Sequence, residues 1–148
     1  MKLFYGFDIS ASALTAQRLR MDVISSNIAN ADTTRARMVD GRWVPYSRKV
    51  VVLQSQSAPS FSQLLQNEMQ NVGAGVKVSR IYDDPAPFKQ VYDPGHPDAD
   101  ENGFVLKPNV DILKEMVDMI SATRSYEANV TALNAAKNFV TKALEIGK

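Results

Sequence analysis

The feature that most constrains this fold is a stretch near the C-terminus, residues 109–146, which contains neither glycine nor proline. Side chains suited to a helix interface recur there every seven positions, at Ile112, Met119, Tyr126, Leu133 and Val140. A seven-residue repeat places its members along one face of an α-helix, as in coiled coils. The spacing therefore predicts one uninterrupted helix over 109–146, about 50 Å long at 1.5 Å per residue. Such a helix is too long for a small globule to bury alone.

The flanking residues predict where this helix begins and ends. Asn109 follows Pro108 and is the predicted N-cap, and Gly147 is the predicted stop. We call the interface face of this predicted helix its seam. Further seam positions lie four residues after members of the seven-residue series, at Met116, Thr123, Val130 and Leu144.

The first 31 residues carry a similar but weaker pattern. Phe7, Leu14, Met21 and Ile28 are spaced by seven, and Ile24 and Ala31 lie three residues after members of this series. Leu3 belongs to the same set, whereas Ser10 and Gln17 put polar side chains on the seam. We predict a helix over 8–31, with Asp8 or Ser10 as N-cap and an exit in the run of poor helix formers from Asn27 to Thr34.

The middle of the chain differs in composition from both ends, because proline and glycine are concentrated between Gly41 and Pro108. β-branched and aromatic residues predict strands at 43–54, 76–82 and 88–92, and a short helix is predicted at 61–71. The predicted fold class is α+β, with long terminal helices forming a coiled-coil layer around a small β-rich middle domain. The predicted domains are residues 1–31 with 109–148, and residues 32–108.

The charge balance and cysteine count exclude several functional classes. Lys and Arg total 17 against 16 Asp and Glu, so the net charge of +1 gives no support for a nucleic-acid partner, which normally requires a basic face. The absence of cysteine excludes disulfides and thiolate metal sites. No apolar run is long enough to span a bilayer, and Asp8 interrupts the N-terminal apolar run, so we expect no membrane insertion and no cleavable signal peptide.

No motif in the sequence predicts catalytic residues, metal ligands or a cofactor. The loop from Asp98 to Gly103 matches the opening of a calcium-binding EF-hand loop, but its twelfth position is Asn109, where the closing Glu is required. We interpret it as a polar surface turn without metal.

His96 is the single histidine, which excludes a histidine-based metal cluster. A basic cluster is interpreted as a solvated or inter-subunit face: Arg35, Arg37, Arg42, Arg48 and Lys49.

The two helical seams are therefore the most specific functional signal, and they favour a structural subunit that assembles with copies or relatives. Alanines on several faces of both predicted helices would let neighbouring helices approach closely. Two other functions stay open at this point. One is a soluble helical-hairpin adaptor, and the other is a calcium-binding module that uses Asp98, Asp100 and Asn102.

The segment from Ser25 to Thr34 resembles the signature of the bacterial flagellar axial proteins, with the motif residues Asn27, Ala29, Asn30, Thr33 and Thr34. The turn from Tyr92 to Gly103, the run from Pro108 to Asp111 and the run from Arg124 to Asn129 resemble the proximal rod branch of that family. The alternative within the family is another rod or hook-junction protein. After Thr34 this chain has Arg35-Ala36-Arg37, where many relatives carry glycine and an aromatic residue.

The resemblance implies a structural subunit of the flagellar basal-body rod, a drive shaft that transmits torque and spans the periplasm. It implies that the terminal helices line the export channel and that the middle domain lies outside them. Its implied partners are other rod proteins, copies of itself, the MS-ring or basal-body adaptor region, and the type III apparatus that exports it. It implies no catalytic residue and no cofactor.

Overall fold

A computed structural model describes residues 5–56 and 75–146 of the chain. The first helix, α1, spans Tyr5–Ala29. It begins three residues before the predicted start, so Asp8 lies within the first turns and the predicted cap at Asp8 or Ser10 is wrong. Its end agrees with the predicted exit to within two residues. Leu3, the predicted helix at 61–71 and the predicted stop at Gly147 lie outside the described residues.

The C-terminal helix, α2, spans Ile112–Ile146 without interruption, which confirms the continuity predicted through its centre. Its N-cap is Asp111, whose Oδ1 accepts hydrogen bonds from the N–H groups of Leu113 (3.0 Å) and Lys114 (3.4 Å). The predicted cap at Asn109 is wrong because that side chain is used elsewhere: its Oδ1 accepts from the backbone N–H of Arg48 at 2.8 Å. Either residue type can cap a helix, so only the tertiary contact decides between them.

Within the described residues, six short strands form three two-stranded sheets: β1 (Arg37–Val39) with β2 (Arg42–Val44), β3 (Lys49–Ser55) with β4 (Val76–Asp83), and β5 (Lys89–Tyr92) with β6 (Phe104–Lys107). The first and third pairs are antiparallel. Strands β4 and β5 confirm two predictions, whereas β1 and β6 were not predicted. The helices and strand pairs together agree with the α+β class.

The predicted strand at 43–54 is divided into β2 and β3. Pro45 lies buried between them and has no backbone N–H to donate to a sheet ladder. The strands β1 and β2 are joined by Asp40 and Gly41, both at positive φ (49° and 77°), a backbone that suits a tight hairpin and favours the Asp-Gly pair.

The chain forms two compact units. One consists of residues 21–51 and 81–120, and we call it the network unit; its core includes Val23, Ile24, Val105 and Val110. The other contains the remaining described residues, and its most buried side chains include Ser10, Ala16 and Ala122. Within the described ranges, neither helix has the length and apolarity needed to cross a bilayer.

Candidate functional site

A buried polar network lies in the network unit, where the last turn of α1 meets the start of α2. We call it the Asn27–Glu115 network, after its two most buried members, each 1% exposed. Asn27 Nδ2 donates to Glu115 Oε2 and to the Lys49 carbonyl, both at 2.9 Å. Asn27 Oδ1 accepts from the Lys49 N–H at 2.9 Å and from the Tyr46 hydroxyl at 3.0 Å. One buried amide thus connects α1, α2 and the start of β3.

Arg48 supplies the positive charge that compensates the buried carboxylate. Its Nε donates to Glu115 Oε1 at 2.6 Å, and its remaining nitrogens lie 3.2 Å from Asp84 Oδ2 and 3.6 Å from Asp118 Oδ2. A buried carboxylate is tolerated only when it is paired and hydrogen-bonded, and Glu115 has both a guanidinium and an amide partner. The Arg48 side chain is only 16% exposed, so the interpretation of Arg48 as part of a solvated face is wrong.

Asn109 and Asp84 extend the network to the segment before β5. Asn109 Nδ2 donates to the carbonyls of Asp84 (3.2 Å) and Ala86 (3.0 Å). The Ala86 N–H donates to the Asp84 carboxylate at 2.9 Å. This bond, assisted by the Arg48 guanidinium, holds the pKa of Asp84 below its usual 3.8 despite partial burial. The carboxylate therefore stays charged and remains a partner for Arg48.

The residues of the axial-protein signature lie in the last turn of α1 and just after it, and all but one are at least partly buried. Asn30 Nδ2 donates to the Ser26 carbonyl at 2.9 Å, and the Thr33 hydroxyl donates to Asn30 Oδ1 at 3.2 Å. The Thr33 carbonyl accepts from the Tyr46 N–H at 3.1 Å. Ala29 is exposed instead. The signature residues thus form the turn after α1 and attach that turn to the segment that holds Tyr46, a member of the Asn27–Glu115 network.

A second polar cluster joins this reversal to the turn at Asp98. The Thr34 hydroxyl donates to Asp98 Oδ2 at 2.8 Å, and Arg35 Nε donates to Oδ1 at 2.6 Å. The Arg35 guanidinium and the Thr34 hydroxyl hold the pKa of Asp98 below its usual 3.8. Within this polar turn, Asp98 is 19% exposed and bonded to two side chains.

The same contacts bear on the calcium hypothesis. Asp98 is bonded to Arg35 and Thr34, and Asp100 Oδ1 accepts from the N–H groups of Asn102 (2.9 Å) and Phe104 (2.8 Å). Both carboxylates thus form hydrogen bonds within the chain. Over residues 5–56 and 75–146, no three His, Asp or Glu side chains are grouped closely enough to hold a metal ion.

The predicted assembly seams are partly covered in the isolated subunit. The following seam residues are half-buried: Phe7, Leu14, Met21, Ile28, Met119, Tyr126, Leu133 and Val140. Ile112 is exposed. On α2 the companion positions Met116 and Leu144 are exposed, whereas Glu115 and Ala122, three residues after seam positions, are fully buried. The more buried face of α2 therefore includes most of its seam residues and the positions three residues after them.

Sequence reasoning missed Glu115, Arg48, Tyr46 and Asn109 as parts of one site. A glutamate in the first turn of a helix is ordinary because it suits the helix dipole, so Glu115 gave no signal of burial. Arg48 was recognised only as a member of a basic cluster. The one recognisable signal was the position of Asn27 within the signature run.

Comparisons with known proteins match both ends of the chain. Residues 7–37 match the family model "Flagella basal body rod protein", and residues 101–146 match "Flagellar basal body rod FlgEFG protein C-terminal". The flagellar basal-body rod protein FlgC of Bacillus subtilis (strain 168) is 62% identical over 151 residues that cover 100% of both chains. The protein of the same name from Salmonella typhimurium is 45% identical over 148 residues, again with 100% of both covered. That from Borreliella burgdorferi is 43% identical over 156 residues, covering 99% of this chain and 98% of the relative.

Proposed function

The chain belongs to the FlgC family of flagellar basal-body rod proteins, and on that premise we propose that it assembles into the rod through its two terminal helices. It is a structural subunit of the basal-body rod, and it associates with other rod components. In this proposal α1 and α2 form a coiled-coil layer with neighbouring subunits that lines the export channel. Residues 32–108 form the outer domain.

One observation carries the assembly proposal: α2 leaves large apolar side chains uncovered in the isolated subunit. Leu113, Val117, Phe139 and Leu144 are each more than three-fifths exposed, and the seam residue Leu133 is half-buried. Apolar surface of this extent along a helix is typical of a protein that binds partners. Burying it against neighbours stabilises the assembly by roughly 25 cal/mol for each Å² removed from water.

The Asn27–Glu115 network has a mechanical role in this proposal. It connects the end of α1, the start of α2 and the start of β3 through contacts of 3.0 Å or less. Torque that reaches the outer domain would pass to the helices through this cluster. A buried, fully satisfied polar network is more directional than apolar packing, which tolerates small shifts. No catalytic residue and no cofactor belong to the proposal.

Delivery by the flagellar type III export apparatus, with contacts to the MS-ring or basal-body adaptor region, is also part of the proposal. The resemblance of the terminal motifs to those of axial proteins supports it. The test is the amount of subunit in the culture medium of strains with and without a working export apparatus. Equal amounts in both would contradict this route.

A seam substitution tests the assembly proposal. Leu133→Asp places a carboxylate on the predicted interface, where its desolvation costs roughly several kcal/mol. We therefore expect the strain to lose swimming while it still exports the subunit. Asn134→Asp, at the neighbouring exposed position, is the matched control and should swim normally. Asp98 is unsuitable as a neutral control because it bonds to Thr34 and Arg35. Normal swimming of the Leu133→Asp strain, scored in a strain lacking the gene, refutes the role of this seam.

A further inference from the structure

A surface groove in the network unit is lined by both the β1–β2 hairpin and the β5–β6 hairpin. Its volume is about 920 Å³, near the upper end of the range for ligand-binding pockets, about 300–1,000 Å³. Phe104 and Leu106 line it from β6, and Val105 between them is 1% exposed. Because side chains alternate along a strand, the hairpin turns Val105 towards the core and its neighbours towards the groove.

The facing hairpin adds an aromatic surface to the same groove. Trp43 of β2 lines it and is 50% exposed, and Phe104 and Leu106 are 42% and 44% exposed. The Phe104 ring packs edge-on against Tyr92, with 5.3 Å between ring centroids, which fixes its orientation. Tryptophan combines a broad apolar ring with one N–H donor, so these side chains suit a ligand that has both an apolar and a polar face.

Planar polar side chains complete the lining. Arg42, Gln90, Glu101 and Asn102 are exposed, and within residues 5–56 and 75–146 none of these four side chains has a hydrogen-bond or ion-pair partner. The guanidinium is a donor, the carboxylate an acceptor, and each amide is both. The groove therefore presents free donors and free acceptors beside its aromatic surface.

The charges in the groove nearly cancel. Asp98 is paired with Arg35, whose Nε donates to Oδ1 at 2.6 Å, and Asp100 Oδ1 accepts two backbone N–H groups. Glu101 and Arg42 remain unpaired, with opposite signs. A strongly basic or strongly acidic protein segment would meet a like charge at one of them, which opposes its binding. Neutral hydroxyl and amide groups can bond to both, so the charges favour an uncharged polar ligand.

We propose that this groove binds an uncharged oligosaccharide of N-acetylated hexose units. The C–H face of a sugar ring is apolar and stacks on Trp43, while the hydroxyls at the ring edge bond to the planar polar side chains. The acetamido group adds a methyl that packs on Phe104 and Leu106, and an amide that pairs with Gln90 or Asn102. This binding function is separate from rod assembly through the helices, because every residue it uses lies in the network unit.

Titration calorimetry of the purified full chain with chitotetraose, four linked units of N-acetylglucosamine, provides the first test. We expect a Kd at or below about 1 mM, weak because water competes for the exposed polar groups. Trp43→Ala should raise the Kd about tenfold or more. Val39→Ala is the matched control, because Val39 lies on the paired strand β1, is 44% exposed and does not line the groove. No binding to the unchanged chain, or equal changes in the two variants, overturns the proposal.

A second variant keeps the test decisive if Trp43→Ala fails to fold. Glu101→Ala changes one exposed side chain without a partner in the described chain, so the fold should be unaffected. The loss of one hydrogen bond should raise the Kd for chitotetraose about fivefold. An unchanged Kd for Glu101→Ala overturns the proposal.

Further titrations identify the class of ligand. Cellotetraose, which has the same linkage without acetamido groups, should bind about tenfold more weakly, and equal binding overturns the assignment. Tetralysine, the probe for a basic protein segment, should not bind. Binding of tetralysine, or a Kd for chitotetraose that rises steeply with salt, overturns the proposal, because salt screens only charged partners. These measurements use the unassembled subunit, so their failure leaves the assembly proposal, tested by swimming of the Leu133→Asp strain, unaffected.

Discussion

Arg48→Met is the sharpest perturbation of the Asn27–Glu115 network. It keeps most of the side-chain volume and removes the guanidinium that lies 2.6 Å from Glu115 and 3.2 Å from Asp84. Glu115 is 1% exposed, so its carboxylate would remain buried with the Asn27 amide as its neutral partner. Asp84 and Asp118 are 22% and 32% exposed, and solvent can compensate much of their loss.

The expected cost follows from the burial of Glu115. Breaking a buried ion pair by removing one partner destabilises by about 3–5 kcal/mol. Because Arg48 itself is 16% exposed, we expect the lower end, about 3 kcal/mol. A small domain has about 5–15 kcal/mol of stability in total, so this loss is large. With a urea m-value of about 1–3 kcal/mol/M, the midpoint should fall by roughly 1–3 M.

The assay is urea unfolding of the full chain, followed by the fluorescence of its single tryptophan. Trp43 lies in β2, inside the network unit, so the signal reports on the unit that contains Arg48. The control is the double variant Arg48→Met with Glu115→Gln, which removes the uncompensated charge together with its partner. The double variant should be more stable than Arg48→Met alone. A loss below about 1 kcal/mol for Arg48→Met, or no recovery in the double variant, would refute the account of Glu115 as a buried charge that depends on Arg48.

Two further predictions concern the helix cap and the second polar cluster. Asp111→Ala should lower the free energy of unfolding in urea by about 1 kcal/mol, because the N–H groups of Leu113 and Lys114 lose their acceptor. Asp111→Asn, which can still cap the helix, should lower it far less. Equal losses of stability in the two variants would contradict the capping role. Since the pKa of Asp98 lies below 3.8 in the folded chain, its pairing stabilises the fold above that pH, and the stabilisation is lost as the pH falls through the folded pKa. Arg35→Gln should therefore lose less stability than the unchanged chain when the pH is lowered from about 5 to about 2, and an identical pH dependence of the two would count against the pairing.

The sequence determined the features of this protein that depend on local patterns. The absence of glycine and proline over 109–146 and the seven-residue spacing predicted the continuity of α2, and the run of poor helix formers from Asn27 predicted the end of α1. The combination of Ser25–Thr34 with the later motifs indicated the family, which the relatives confirm. Each of these signals is a composition or a spacing within one continuous segment, and the side chains in such a segment interact mainly with each other.

Only the tertiary structure decided which residues meet. Asn27 and Glu115 are 88 positions apart, and Arg48 and Glu115 are 67 apart, so no periodic pattern relates them. The choice of Asp111 over Asn109 as helix cap had the same origin, because Asn109 is held by Arg48, Asp84 and Ala86 from segments 23 to 61 positions away. Which face of α2 is buried near its start was likewise decided only by the tertiary structure, because that face includes Glu115, a charged residue that sequence patterns place on the surface. Burying a carboxylate is favourable only where distant donors converge on it, and that convergence exists only in the folded chain.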